Sequence, residues 1–419
     1  MFELLIASCF GLFLGVLIGL IPGIGLSAML LAIAPILTSQ SLTFAIVVYS
    51  VACCTAQYFG SISALCFGIS GENTSAPILA IRKKLDTREA IRQTAIGSFV
   101  ASIITVCGMY LSVDFIMQQT AYLTTYLTIG LICVGLIMSV IYAQNAWYMS
   151  FGMIVFGLLL GRIGYDSVRQ ESFLTFDSIW LYAGLPVLPV IMGLLAIPAL
   201  VSFRGFVYSS TNIERQTQSS VATIVRSTFV GAIMGLIPYL GSTISSMMAV
   251  AAERKFKPND VMAHAVASES ANNAAALTVL IPLIAFGIAI VPSEWILLEI
   301  LTLSNIVVDF KSVFGSLVVA LVFANIIAYF ISRKISNHFI QFMVKYGWYM
   351  SILLLIGSLV GVYVFGEITG QGLFYLTLLA LFSIVGVIFR NYDVLPIVFG
   401  FLVSSHLEST IRKFIILYL

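Results

Sequence analysis

Glu269, Asn272 and Asn273 lie at i, i+3 and i+4 in the stretch "ESANNAAAL", residues 269–277. On a helix that spacing gathers all three on one face. A carboxylate beside two carboxamides presents several oxygen acceptors. Such a set can coordinate Na+ or carry a proton, so Glu269 and Asn273 are the candidate ion ligands. If the helix enters the bilayer near Asp260, Glu269 lies about 13 Å along it. An ionisable group near mid-membrane is costly and is a functional candidate by default. The plain alternative is a glutamate that bonds across to another helix.

Two more sets of residues are suited to binding an anion. "GLIPGIG" at 19–25 and "GLIPYLG" at 235–241 place helix breakers inside apolar runs. A half-helix that starts in mid-membrane offers free N–H groups and a partial positive charge. Pro22, Gly23, Gly25 and Ser27 at the first break, and Pro238, Gly241, Ser242 and Thr243 at the second, are therefore candidate substrate contacts. A lone Pro-Gly is more often a kink; recurrence at matching places argues for a site. The third set is "AQYFGSISAL" (56–65) with "GISGENTSAP" (68–77), which adds Gly60, Ser61, Ser63, Glu72, Asn73 and Thr74. Asn272 and Asn273 complete the substrate-binding candidates.

The elements that position these residues are membrane helices. The chain has 419 residues, 60% hydrophobic and 9% charged, too little charge for a water-facing globular surface. Apolar runs long enough to cross a bilayer recur from end to end. The first starts at Phe2 with no Lys or Arg before it, so residues 3–20 read as a retained helix rather than a removed leader. No basic stripe with interleaved aromatics appears, which argues against nucleic acid. The six cysteines form no C-x-x-C pair, and neither a G-x-S-x-G nor an H-E-x-x-H pattern occurs. The chain does not read as an enzyme.

Gly15 and Gly231, Gly19 and Gly235, Pro22 and Pro238, and Gly25 and Gly241 are each separated by 216 positions. The polar stretch 204–226 divides the copies. This gives a first membrane repeat at 1–203, a linker at 204–226 and a second repeat at 227–419. Such internal duplication marks secondary transporters.

Basic residues favour the cytoplasmic side. Arg82, Lys83, Lys84, Arg88 and Arg92, the linker arginines, Arg254, Lys255 and Lys257, then Arg333, Lys334 and Arg390 are placed inside. Lys311, Arg412 and Lys413 then fall outside. Residues 227–238 and 242–253 form two arms of roughly 18 Å, too short to span about 30 Å of hydrocarbon. They read as a re-entrant hairpin from the inside, and the first breaker as one from the outside. Expected crossings are 42–68, 93–113, 121–142, 147–161 and 180–203, then 264–289, 312–332, 344–365, 371–388 and 393–410. Five crossings per half invert the second repeat. The expected fold is thus an all-α polytopic membrane protein of two inverted repeats, each with a broken-helix hairpin and about five transmembrane helices. Asp86, Glu89, Glu253 and Asp260 read as solvated in basic loops. Asp166, Arg169, Glu171 and Asp177 read as part of an outside loop.

Together these motifs resemble the large membrane subunit of the tripartite tricarboxylate transporter family. The residues that carry the resemblance are "GVLIGLIPGIG", "QYFGSISAL", "GEN", "GYDSVRQESFLTFD", "GLIPYLG" and "ESANNAAA". Tyr239 stands where the family usually has Gly, and Ser70 where it usually has Pro. The resemblance implies a permease of a bacterial-type inner membrane, taking up a small organic anion such as a di- or tricarboxylate. It implies a small transmembrane subunit and a periplasmic solute-binding protein as partners, and an ion gradient (Na+ or H+) as the drive, with no other cofactor. A channel, or a scaffold subunit without its own coupled substrate site, is the rival reading, and an intramembrane enzyme, which would need a nucleophile–base pair or a metal cluster, is a more distant one.

Overall fold

The computed structural model describes residues 2–21, 25–68, 76–142, 145–166, 171–203, 205, 220–237, 241–287, 289–303, 310–334, 337–367 and 370–404. Pro22, Gly23, Glu72, Asn73, Thr74 and Pro238, with Ser70 and Tyr239, lie outside them. The first half comprises α1 (Phe2–Leu20), α2 (Gly25–Leu37), α3 (Leu42–Phe67), α4 (Ala76–Ile81), α5 (Thr87–Tyr142) and α6 (Trp147–Gly161). Strands β1 (Gly164–Asp166) and β2 (Glu171–Phe173) follow, then the short helices α7 (Ile179–Tyr182), α8 (Val187–Ile191) and α9 (Ile197–Ser202). The second half holds α10 (Val221–Met234), α11 (Gly241–Phe256), α12 (Val261–Thr278), α13 (Leu280–Phe286) and α14 (Pro292–Leu303). It ends with α15 (Phe310–Arg333), α16 (Asn337–Glu367), α17 (Gly372–Ile388) and α18 (Leu395–Ser404). Among the described residues, five helical stretches are long and apolar enough to cross a membrane: Phe2–Leu20, Leu42–Phe67, Thr87–Ile116, Val313–Arg333 and His338–Glu367.

The ends of α3 explain its length. Ser41 Oγ accepts the Phe44 N–H at 3.1 Å, a side-chain N-cap. At the other end Gly68, at φ 65°, closes the helix, and its N–H returns to the Ala64 carbonyl at 3.1 Å. The left-handed conformation there suits glycine. The α12–α13 segment has the same design. Asp260 Oδ1 accepts the Ala263 N–H at 2.9 Å, and Gly287, again at φ 65°, returns its N–H to Leu283 at 2.9 Å. Ser41 and Asp260, Phe44 and Ala263, Ala64 and Leu283, and Gly68 and Gly287 are each separated by 219 positions. The second copy breaks at Val279, where Pro282 has no N–H to return to Thr278.

Each hairpin's first arm lies along the following helix on a glycine seam. A Cβ on Gly15 would stand 2.7 Å from the Ala52 carbonyl, and one on Gly19 2.5 Å from that of Ala56. In the second half Gly231 meets the Ala271 carbonyl, and a Cβ on Gly235 would stand 2.6 Å from that of Ala275. The paired numbers rise together, so α1 runs parallel to α3, and α10 to α12. Small residues let membrane helices approach this closely.

In the interior, α3 packs on α1 and α15, while α12 packs on α10, α11 and α5. The second long helix of each half thus lies against the third helix of the other. Further out, α2 packs on α16 and α14, α17 on the π-turn at Met192–Ala196, and α6 on α18.

Several expectations are corrected. Crossings 93–113 and 121–142 are one unbroken α5 of 56 residues, about 84 Å long. Residues 114–120, "DFIMQQT", hold no Gly or Pro to break it. The span 180–203 is divided into α7, α8, the π-turn and α9, in a stretch containing Pro186, Pro189 and Pro198. Helix α14, which was not expected, follows α13. The loop holding Asp166, Glu171 and Asp177 forms an antiparallel two-stranded hairpin, the one sheet among the described residues of an otherwise helical chain. Helix α10 begins within the segment read as linker. Glu253, read as solvated, is 1% exposed. It pairs with Arg226 at 2.8 Å and accepts the Thr223 hydroxyl at 2.7 Å, because α10 and α11 close face to face at the hairpin base.

Candidate functional site

Helix α12 carries its polar face inward: Glu269, Asn272 and Asn273 are each 0% exposed. Asn273 Nδ2 donates to Ser98 Oγ on α5 at 2.7 Å and to the Glu269 carbonyl, one turn back, at 3.0 Å. These two bonds leave Asn273 Oδ1 as a free acceptor. Both carboxylate oxygens of Glu269 and both side-chain polar atoms of Asn272 make no hydrogen bond of ordinary geometry among the described residues. The hydroxyls of Ser268 and Ser270 are unpaired in the same sense. Native interiors hold few such orphans, so a cluster on one helix face points to a ligand.

Two helices wall this cluster. On one side Gly97 brings α5 so close that a Cβ there would stand 2.7 Å from Ser270 Oγ. On the other, α11 is stitched to α12: Ser246 Oγ donates to the Ser268 carbonyl at 3.2 Å and Ser245 Oγ to that of Ala271 at 3.4 Å. Helix α11 is the return arm of the second hairpin and opens with Gly241, Ser242 and Thr243. Its backbone thus joins the second breaker to the Glu269 cluster.

The first breaker is placed differently. Gly25 opens α2 at φ 54°, and among the described residues a Cβ there would meet no atom within 4 Å. Ser27 is half-buried in the first turn of α2. Gly25 therefore presents bare backbone at the α2 N-terminus. Gly60, Ser61 and Ser63 are buried in α3 and brace this hairpin. Ser63 Oγ donates to the carbonyl of Leu20, the last residue of α1, at 3.3 Å. Ser61 Oγ donates to the Tyr58 carbonyl at 2.8 Å, and a Cβ on Gly19 would stand 2.8 Å from the Gly60 nitrogen. Among the described residues, no hydrogen bond joins these three to the Glu269 cluster.

Three participants were not singled out from sequence. Ser98 is one. Asn325 on α15 is another: its Oδ1 accepts from Tyr58 Oη at 2.9 Å and from Cys54 Sγ at 3.2 Å. The signal was a lone carboxamide in "VVALVFANIIAYF". Glu294 is the third, 0% exposed, with one oxygen accepting the Ile290 N–H at 2.8 Å. It braces the entry to α14, where Tyr49 Oη lies 3.0 Å from Ser293 Oγ.

Residues 5–399 match the family model described as the tripartite tricarboxylate transporter TctA family. A curated protein of Agrobacterium vitis, named "Uncharacterized 52.8 kDa protein in TAR-I ttuC' 3'region", is 29% identical over 307 residues. The match covers 68% of this chain and 61% of that relative, so the chain spans about three fifths of the relative's length. No solved structure matches the chain.

Proposed function

Because the chain belongs to the tripartite tricarboxylate transporter TctA family, we propose that it is an ion-coupled permease subunit for a small organic anion, a di- or tricarboxylate. It works in the inner membrane of a bacterial-type cell with a small transmembrane subunit and a periplasmic solute-binding protein. The observation that carries this reading is the buried, unpaired carboxylate of Glu269 beside Asn272 and Asn273. A charge left in that state is expensive unless a cation or proton joins it. The anion binds at the half-helix ends that open α2 and α11.

The two halves, residues 1–203 and 227–419, which this reading takes as inverted copies, pack against each other. Cys53 Sγ lies 3.8 Å from the Ala276 carbonyl, and Tyr49 Oη 3.0 Å from Ser293 Oγ. Ala276 stands on α12 and Ser293 on α14, so α3 touches two elements of the second half. The first arms, as far as they are described, stop short of the ends of their neighbours. Gly19 reaches Ala56 of α3, and Gly235 reaches Ala275, each with roughly 17 Å of its neighbouring segment still to run.

The test is uptake by the chain with its partner subunits in proteoliposomes, driven by an imposed Na+ or proton gradient. Glu269→Gln is expected to abolish gradient-driven uptake while the protein stays folded. Normal driven uptake by that variant would remove Glu269 from the coupling step. Conductance without saturation in planar bilayers would favour a channel instead.

A further inference from the structure

The Glu269 cluster has a counterpart in the fold, and the two differ. Cys54 and Asn273 are separated by the same 219 positions that relate α3 to α12–α13. Each reaches the long helix contributed by the other half: Asn273 to Ser98 on α5 at 2.7 Å, Cys54 to Asn325 on α15 at 3.2 Å. The carboxamide stands on α12 in one tie and on α15 in the other.

At the α3–α15 tie the carboxamide is satisfied. Asn325 Oδ1 accepts from Tyr58 and Cys54, and Nδ2 donates to the Leu321 carbonyl at 2.8 Å. The Ser102 hydroxyl of α5 also lies beside Cys54 and Tyr58. Neither α3 nor α15 contains an Asp or Glu, so these two helices offer a cation no counter-charge here. At the α12–α5 tie the two Asn273 donor bonds fix the amide and present Oδ1 as an acceptor. Glu269 and Asn272 add their own unpaired oxygens. One proton on Glu269 satisfies a single acceptor, whereas one Na+ takes several oxygens together and neutralises the carboxylate.

Resting on the reading of Glu269 as the coupling site, we infer that each chain carries one Na+ site. Glu269, Asn272 and Asn273 form it and Ser98 orients it, while Tyr58 and Asn325 close the pseudo-equivalent place. Ser98 and Tyr58 are positioning residues: the first holds an amide in register, the second occupies the acceptor a cation would need.

The test is equilibrium binding of radioactive sodium to the purified full-length chain in detergent, with stoichiometry read at saturation. One Na+ per chain is expected, bound non-cooperatively. Glu269→Gln should weaken binding by roughly tenfold or more, and Glu269→Asp should recover part of it. Tyr58→Phe frees an acceptor of Asn325 at a distance from Glu269, so Na+ affinity at the Glu269 site should be unchanged. Size-exclusion profiles check that each variant is folded. Two Na+ per wild-type chain would overturn the closed-site assignment. No Na+ binding by the wild-type chain would overturn the Na+ assignment. Proton-driven uptake by Glu269→Gln then decides separately whether Glu269 couples at all.

Discussion

Asn273 Nδ2 lies 2.7 Å from Ser98 Oγ, joining α12 to α5 across 175 positions of sequence. The bond sets which face of the amide points at Glu269. Ser98→Ala removes one acceptor and leaves the other, the Glu269 carbonyl. The expected loss of stability is about 0.6 kcal/mol, the usual value for a hydrogen bond between membrane helices. The larger effect should be on the cation: a severalfold weaker apparent Na+ affinity in uptake, with the maximal rate little changed. A purely structural bond would change the melting temperature and leave the Na+ dependence as it was.

Arg226 and Glu253 clamp the base of the second hairpin, with Arg226 also 4.4 Å from the centre of the Phe256 ring. Glu253 is buried, but the Arg226 side chain is 35% exposed, so solvent recovers part of what is lost. Glu253→Gln is expected to cost about 2 kcal/mol, the range for a charged hydrogen bond. Arg226→Met with Glu253→Met should restore part of it, since neither charge is then left alone. Thermal melting of the two variants in detergent measures the difference.

The glycine seams predict a sharp contrast among glycines. Gly15→Leu drives a side chain into the Ala52 carbonyl and Thr55 and should abolish the folded species in size-exclusion chromatography. Gly235→Leu should do the same, because its seam repeats the geometry on α12. Gly108→Ala, where a Cβ meets nothing within 4 Å, should be neutral or stabilising by up to about 1 kcal/mol from helix propensity.

Gly68 combines two constraints. Its φ of 65° disfavours any Cβ, and a Cβ there would run into the Arg82 guanidinium. Gly68→Ala is therefore expected to cost more than the roughly 1 kcal/mol that left-handed backbone alone accounts for. Pairing it with Arg82→Ala should return the cost to about that value. Equal melting temperatures for the single and double variants would show that the guanidinium does not matter.

Local features of the sequence translated well into structure. The breakers ended α1 and α10 close to where the prolines stand, and α3, α6 and α17 fall within a residue of the expected spans. Asp260 and Ser41 are polar residues standing just before apolar runs, and such residues announce helix starts. What the sequence did not reveal is which helix lies against which. In a membrane the lipid face is as apolar as the packed face, so periodicity cannot separate them. That is why Asn325 and Ser98 passed as ordinary residues of apolar runs, and why Glu253 looked solvated. The same limit hid the continuity of α5, since two apolar spans in sequence read alike whether or not the chain turns between them.

The packing of α3 on α15 and of α12 on α5 has a consequence for how the chain is made. Translation completes α3 at Phe67, but its partner α15 ends only at Arg333. At 5–20 residues per second that is a wait of roughly 13 to 53 s. During it the stretch of α3 that carries Cys54 and Tyr58 has neighbours from its own half, such as α5, but not the Asn325 carboxamide it will bond. The first half therefore cannot mature before the second, and the protein is assembled as a pair of clasped halves rather than as two units in turn.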